Sequence, residues 1–173
     1  DLTLREPDIL LKKECSIFKE GGRILDIACG DGKNAIYLAK KGFEVTAVDF
    51  SDEAINRVEK YADFEQAKLT TKRLDLNELR AEDFESFDGI VINHYRLPPK
   101  LYKEVASLLK DGCYLWINTH RGLSEENPLI REEDVFNPKD LEGSGLKVLD
   151  SFEYEEQKRC YGRYLVTKEV NDD

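Results

Sequence analysis

The sequence predicts an α/β fold in three layers, a mostly parallel sheet with helices on both faces, and three features predict it. Ile24 to Asp49, ILDIACGDGKNAIYLAKKGFEVTAVD, reads as an apolar strand, a glycine turn, a helix and a second apolar strand ending on an acid, which is one βαβ unit. Phe87 to Asn93, FDGIVIN, is the continuous apolar run of a strand covered on both faces. Leu146 to Glu155 and Tyr161 to Val170 alternate apolar and polar residues around a charged turn, as an antiparallel hairpin closing the sheet would.

Each remaining element has its own signal. Pro7 starts a helix with Leu11, Cys15 and Phe18 on one face, ended by Gly21 and Gly22. Strand one runs from Arg23 to Ala28, and the helix from Lys33 to Lys40 is terminated by Gly42. Strand two is Glu44 to Asp49. Ser51 then caps a helix carrying Asp52 and Glu53 in its first turn, with Ile55, Val58 and Ala62 facing inward. A third strand spans about Lys68 to Asp75. After the fourth strand, Pro99 opens a helix to Lys110, with Gly112 at its end and strand five, CYLWIN, from Cys113 to Asn118. Between Ser124 and Gly145 the composition turns polar, which fits a solvated loop with one short helix or a lid over the site.

Composition bounds the function. A chain of 173 residues reads as one domain, 1–173, with little room for the second substrate domain of a dehydrogenase. The net charge of −10 repels phosphate backbones and disfavours nucleic acid as a partner. Cys15, Cys29, Cys113 and Cys160 form no CxxC pair, and with two histidines in the chain a structural metal site is not expected. Reduced cysteines fit a cytoplasmic protein. No apolar run approaches the roughly 20 residues needed to span a membrane, and no signal peptide is visible. The sequence does not address oligomeric state.

The glycine turn carries the chemistry. Gly30 and Gly32 let the backbone turn and approach a ligand, and the helix opening at Lys33 points its first N–H groups there. Asp49, 19 residues beyond Gly30, is placed to accept hydrogen bonds from ribose hydroxyls. GDGKNA also fits a loosely read dinucleotide fingerprint, so the discriminating residue is Asp26. A carboxylate near the end of an apolar strand is costly to desolvate without a partner, and pyrophosphate would repel it. S-adenosylmethionine (SAM), with an ammonium, a sulfonium and a ribose, suits Asp26 and Asp49 together.

On LDIACGDGKNAIYLAKKGFEVTAVDFS the chain resembles the class I SAM-dependent methyltransferases over essentially its full length, and most closely their small tellurite-resistance and thiopurine-type branch. The resemblance implies a seven-stranded sheet of order 3214576 with the last strand antiparallel, SAM as methyl donor and S-adenosylhomocysteine as product. It implies that Asp26, Ala28, Gly30 and Gly32 line the methionine end, that Asp49 binds the ribose, and that Phe50 packs on the adenine. Asp75 with Leu76 would hold the adenine amino group, Asn93 would lie near the sulfonium, and Asn34, following the glycine motif as in the family, joins the cofactor set. The first glycine of the family's GxGxG is Ala28 here, which leaves less clearance for the backbone. After Asn93 the chain reads HYRLPP, unlike the (D/N)PPY signature of amino-group methyltransferases, and it contains no cysteine motif of the cytosine type.

The acceptor should enter at the carboxyl ends of strands four and five. That edge presents His94, Tyr95 and Arg96 as catalytic candidates and His120 and Arg121 as substrate contacts. His94 or Tyr95 would orient the acceptor or act as base, and Arg96 or Arg121 would anchor an anionic one. The functional expectation is methyl transfer to a small molecule, including a metalloid oxyanion or thiol. A protein or RNA methyltransferase, a non-catalytic SAM-binding module and an NAD-binding protein are the alternatives.

Overall fold

The computed structural model describes residues 4–121 and 131–170. Its strands are β1 (Arg23–Ile27), β2 (Glu44–Asp49), β3 (Thr70–Arg73), β4 (Phe87–Asn93), β5 (Leu109–His120), β6 (Leu146–Glu156) and β7 (Arg159–Lys168). They form one sheet of order β3-β2-β1-β4-β5-β7-β6. The β1, β2, β3, β4 and β5 pairings are parallel, and β7 runs antiparallel to both β5 and β6. The helices are α1 (Ile9–Glu14), α2 (Lys33–Lys40), α3 (Asp52–Glu65) and α4 (Tyr102–Leu108). This is the class I methyltransferase sheet order.

Strand alternation divides the core into two sides. Leu25, Ile27, Ile90 and Ile92 point into a cluster with Tyr102, Val105 and Phe136. Ile24, Val91 and Trp116 pack instead with Leu11, Phe18, Ala35 and Leu38. Every β4 residue from Phe87 to Ile92 is buried, the pattern expected of a strand covered on both faces. Gly89 lets Phe18 cross close over this strand. A Cβ there would collide with Phe18 Cδ1 and lie 2.8 Å from Ile24 Cδ1. Overpacking of this kind costs about 1–3 kcal/mol, so Gly89→Ala should lower the melting temperature by about 5 °C in a calorimetric scan.

Several element boundaries differ from the sequence reading. The first helix starts after Asp8 and tightens into a 3-10 turn at Cys15–Ile17. β3 is shorter than Lys68 to Asp75. The helix expected over Pro99 to Lys110 is a 3-10 turn, Pro99–Leu101, followed by α4, which stops at Leu108. Leu109 is already a strand residue paired with Phe87 ahead of a register shift, so β5 is twice the predicted six-residue length. Periodicity misled because Leu108 and Leu109 are both buried, one from a helix and one from a strand. Of the polar stretch from Ser124 to Gly145, residues 124–130 lie outside the described residues. The remainder holds two 3-10 turns, Glu132–Asp134 and Pro138–Leu141, the second closed by an Asn137/Asp140 capping box.

One polar network fixes the N-terminal helix to the sheet. Glu14 accepts hydrogen bonds from Trp116 Nε1 at 3.0 Å and from Arg163 Nε and Nη2 at 2.8 and 2.6 Å. Arg163 also reaches Asp150, at 3.1 Å. Bidentate pairing of a buried guanidinium sets geometry as well as adding energy. Here it anchors the C-terminal end of α1 on the sheet, one helix length from Asp8 at its N-cap.

Candidate functional site

Beyond the carboxyl ends of β1, β2 and β4 lies a cavity of about 610 Å³, a size typical of small-ligand sites. Ala28, Asp49, Phe50, Asp75, Leu76 and Asn93, all expected at a cofactor, line it, together with Asn77, His94 and Tyr95. Asp26, Gly30, Gly32 and Asn34 are not among its lining residues.

The β1–α2 turn depends on left-handed backbone. Ala28, Gly30 and Gly32 have φ of 59°, 58° and 83°. For alanine this conformation costs on the order of 1 kcal/mol, which is the physical content of the family glycine missing here. The two glycines do different work. A Cβ on Gly30 would meet nothing within 4 Å, so the turn presents bare backbone to open space. On Gly32 it would strike Val58 Cγ2 at 2.7 Å, so that glycine is also required by packing against α3, a demand the sequence reading did not include. Asp49 braces the turn. Its Oδ2 accepts from Gly30 N–H and its Oδ1 from Ser51 N–H, both at 3.0 Å. A carboxylate has about four lone-pair positions, so capacity for ribose hydroxyls remains.

Asp26 is fully buried on β1, and its Oδ2 has no hydrogen-bond partner among the described residues. Burial, reinforced by Asp49, Asp8 and Asp31, pushes its pKa up to about 8. An orphaned buried carboxyl beside a bare glycine turn is chemically matched to a cationic ligand. Phe50, 60% exposed, offers a free aromatic face on the cavity wall, stacked near the Arg73 guanidinium at 5.6 Å. Asp75 Oδ1 accepts from the Asn77 N–H, 3.0 Å away. The chemistry of these residues is compatible with SAM: a buried carboxyl without a partner on β1, carboxylates at Asp49 and Asp75 and an exposed aromatic ring at Phe50 are the groups that a cationic, ribose-bearing ligand would use. The Cys29 thiol lies next to the turn, where burial and the Asp26 and Asp49 carboxyls push its pKa upward and disfavour the thiolate.

Sequence reasoning missed Asp8. Its Oδ2 accepts from Asn34 Nδ2 at 3.0 Å and Asn93 Nδ2 at 2.6 Å, and lies 3.7 Å from Lys33 Nζ. Its Oδ1 is 3.8 Å from His94 Nε2. Burial opposes its charge, yet the His94 and Asn34 contacts and the Lys33 ammonium outweigh burial and hold the carboxyl far below its usual range. Asn34 also accepts the Asp8 N–H at 3.0 Å, so its side chain serves the N-terminal segment rather than the cavity wall. No local signal in the sequence announces a contact between residues 8 and 93; it follows from how α1 docks.

The acceptor edge continues from Asn93. Asn118 donates to Asn93 Oδ1 at 3.1 Å and accepts from the Tyr154 hydroxyl at 2.8 Å. His94, at φ 55°, has its N–H fixed on the Asn118 carbonyl at 2.8 Å, and its ring stacks on His120 with centroids 4.5 Å apart. Tyr161 packs against both imidazoles at 5.3 and 5.0 Å, and Tyr154 stacks on Tyr161 at 5.2 Å. Burial and His94 lower the His120 pKa to about 4, leaving it neutral near pH 7. Tyr154 and Tyr161 come from opposed positions of the closing hairpin, a pairing the alternation pattern held but the sequence reading did not use.

Two predicted residues are engaged elsewhere. Arg96 makes a fork onto Asp140, Nε at 3.0 Å and Nη2 at 2.7 Å, and binds the Glu133 carbonyl, fastening the 3-10 turn at Pro138. Arg121 pairs with Glu153 on the surface. Tyr95 stays on the cavity wall, its pKa raised by burial and by Asp49 and Asp75.

Residues 24–112 match the methyltransferase domain family model, half of the chain, from the second residue of β1 into the start of β5. The chain belongs to the class I SAM-dependent methyltransferase family. A curated relative, the ubiquinone biosynthesis O-methyltransferase of Coxiella burnetii, is 32% identical over 122 residues, covering 68% of this chain and 52% of its own. The chain thus spans about half the length of the curated relatives it matches. Among solved structures, TehB from Haemophilus influenzae superimposes with TM-score 0.73 at 21% identity, over 94% of this chain and 63% of its own. A SAM-dependent methyltransferase from Aquifex aeolicus gives 0.71 at 24% identity, over 90% and 88%. At these identities the structural neighbours establish the methyltransferase fold and not an acceptor. No helix of the described residues is long and apolar enough to cross a membrane.

Proposed function

We propose that this methyltransferase-family chain transfers a methyl group from SAM to a small aromatic acceptor carrying a hydroxyl. The observation that supports an aromatic acceptor is the cluster of His94, His120, Tyr154 and Tyr161 beside Asn93, at the carboxyl edge of β4 and β5. An anionic acceptor is less well served. Arg96 and Arg121, the cations expected to anchor it, are matched by Asp140 and Glu153, and His120 is neutral near pH 7. The curated relative from Coxiella burnetii is named for O-methylation in ubiquinone biosynthesis, which is consistent with an oxygen nucleophile on a small molecule.

When bound, SAM supplies an activated methyl group, so positioning accounts for most of the rate. In this reading Asp26 and Asp49 hold the donor, Phe50 carries its adenine, and Asn93 keeps the polar wall beside the reacting centre. The ring stack orients the acceptor. His94, fixed through its own amide and facing Asp8, would receive the acceptor hydroxyl proton as the oxygen–methyl bond forms and the methyl–sulfur bond of the donor breaks, S-adenosylhomocysteine leaving. Turnover of SAM to S-adenosylhomocysteine should therefore be seen with phenols and catechols, and His94→Ala should reduce kcat by about 10²-fold or more. Transfer to tRNA or protein with the phenols silent would replace this acceptor assignment, and transfer to thiols or oxyanions alone would remove the role of the ring stack.

A further inference from the structure

We propose that a second cavity, between the N-terminal segment and α2, is a binding site for a small amphiphilic organic anion, a phosphate or carboxylate on an apolar frame. The cavity has a volume of about 440 Å³ and shares no lining residue with the cofactor cavity. Its floor is one face of α2, Lys33, Ile36, Tyr37, Lys40 and Lys41, at the i, i+3, i+4, i+7, i+8 spacing of a helical stripe. Arg5, Glu6, Pro7 and Lys12 close it from the opposite side.

Charge makes the cavity unusual. The chain as a whole carries −10, yet these walls hold Arg5, Lys12, Lys33, Lys40 and Lys41 against only Glu6 and Glu65. Gathering like charges costs free energy unless a counter-charge is present. Three of the cations have one: Arg5 pairs with Asp31 at 2.8 Å, Lys33 with Asp8 at 3.7 Å and Lys40 with Glu65 at 2.9 Å. Lys12 and Lys41 do not form an ion pair among the described residues. Both ammoniums lie over the same Tyr37 ring, 5.7 and 5.6 Å from its centroid. A ring quadrupole is worth about 0.5–1 kcal/mol at an exposed site and leaves the positive charge uncompensated. An anion bound in the cavity that Lys12 and Lys41 both line would supply the missing counter-charge. Tyr37, Ile36 and Pro7 would cover its apolar part, which is why the site suits an amphiphile better than a bare ion.

The test uses the full chain without SAM, so it stands or falls independently of the methyltransferase reading. 1-Naphthyl phosphate is titrated by calorimetry and followed by amide NMR shifts. The expected result is saturable binding at one site, amide shifts centred on Tyr37 and Lys41, and affinity at least about tenfold weaker in Lys12→Gln/Lys41→Gln, whose exposed positions keep the variant folded with a melting temperature lower by only a few degrees. Inorganic phosphate should bind more weakly than the naphthyl ester, and Asp49→Ala should bind the ester like the parent chain. No binding, equal affinity in the double variant, phosphate binding as tight as the ester, or loss of binding in Asp49→Ala would each overturn the proposal.

Discussion

Replacing Asp26 with asparagine is expected to make the protein more stable at pH 8 while weakening its hold on SAM. The carboxyl is fully buried, one oxygen is unpartnered, and its pKa stands at about 8 against an ordinary 3.8. Because the folded-state value is the higher one, the folded chain binds this proton more tightly. The group's contribution to stability is complete below pH 3.8 and is lost as pH rises toward 8. An amide at this position would not titrate, so Asp26→Asn should gain on the order of a few kcal/mol relative to the parent at pH 8, with the difference closing in acid. Calorimetric melts across pH 4–8.5 read this directly. SAM binding should run the other way. A cation beside Asp26 favours the carboxylate, so binding to the parent should release a proton between about pH 6 and 8, seen as a dependence on buffer ionisation enthalpy. The variant should show no such release and an affinity lower by about tenfold or more. Unchanged affinity with no proton release would remove Asp26 from the cofactor site.

Asp49→Ala should cost more. The carboxylate holds Gly30 and Ser51 through their amides and, in the proposed function, accepts from the ribose, so the substitution would remove ligand contacts and free the glycine turn. Charge-assisted hydrogen bonds are worth about 1.5–3 kcal/mol each, so a loss of at least about 100-fold in SAM affinity is expected. Asp49→Asn, which keeps one acceptor oxygen, should lie between the two. Equal affinities for Asp49→Ala and the parent would contradict the placement of ribose at the end of β2.

What the sequence made legible was the part of the site built within one βαβ unit. Asp26, Ala28, Gly30 and Asp49 are close in space because they are close in sequence, and a strand-turn-helix-strand pattern leaves them few alternatives. Phe50, Asp75 and Asn93 followed because parallel strands bring their carboxyl ends to one edge. Asp8 was not legible. Its position depends on α1 docking through Glu14, Trp116 and Arg163, whose partners are 102 and 149 residues apart, and no local periodicity encodes that. Arg96 illustrates the converse. It sits three residues beyond Asn93 and reads as a substrate anchor, but the chain returns at Asp140 to claim its guanidinium. The boundary between α4 and β5 was lost for a related reason, since burial of adjacent leucines looks alike in a helix and in a strand.

Titration of the full chain with SAM, S-adenosylhomocysteine and NAD in one calorimetric series tests the central assignment most directly. One-site binding of the first two, at least about 100-fold weaker in Asp49→Ala, with NAD silent, is the expected result. Binding of NAD with both SAM and S-adenosylhomocysteine silent would contradict it.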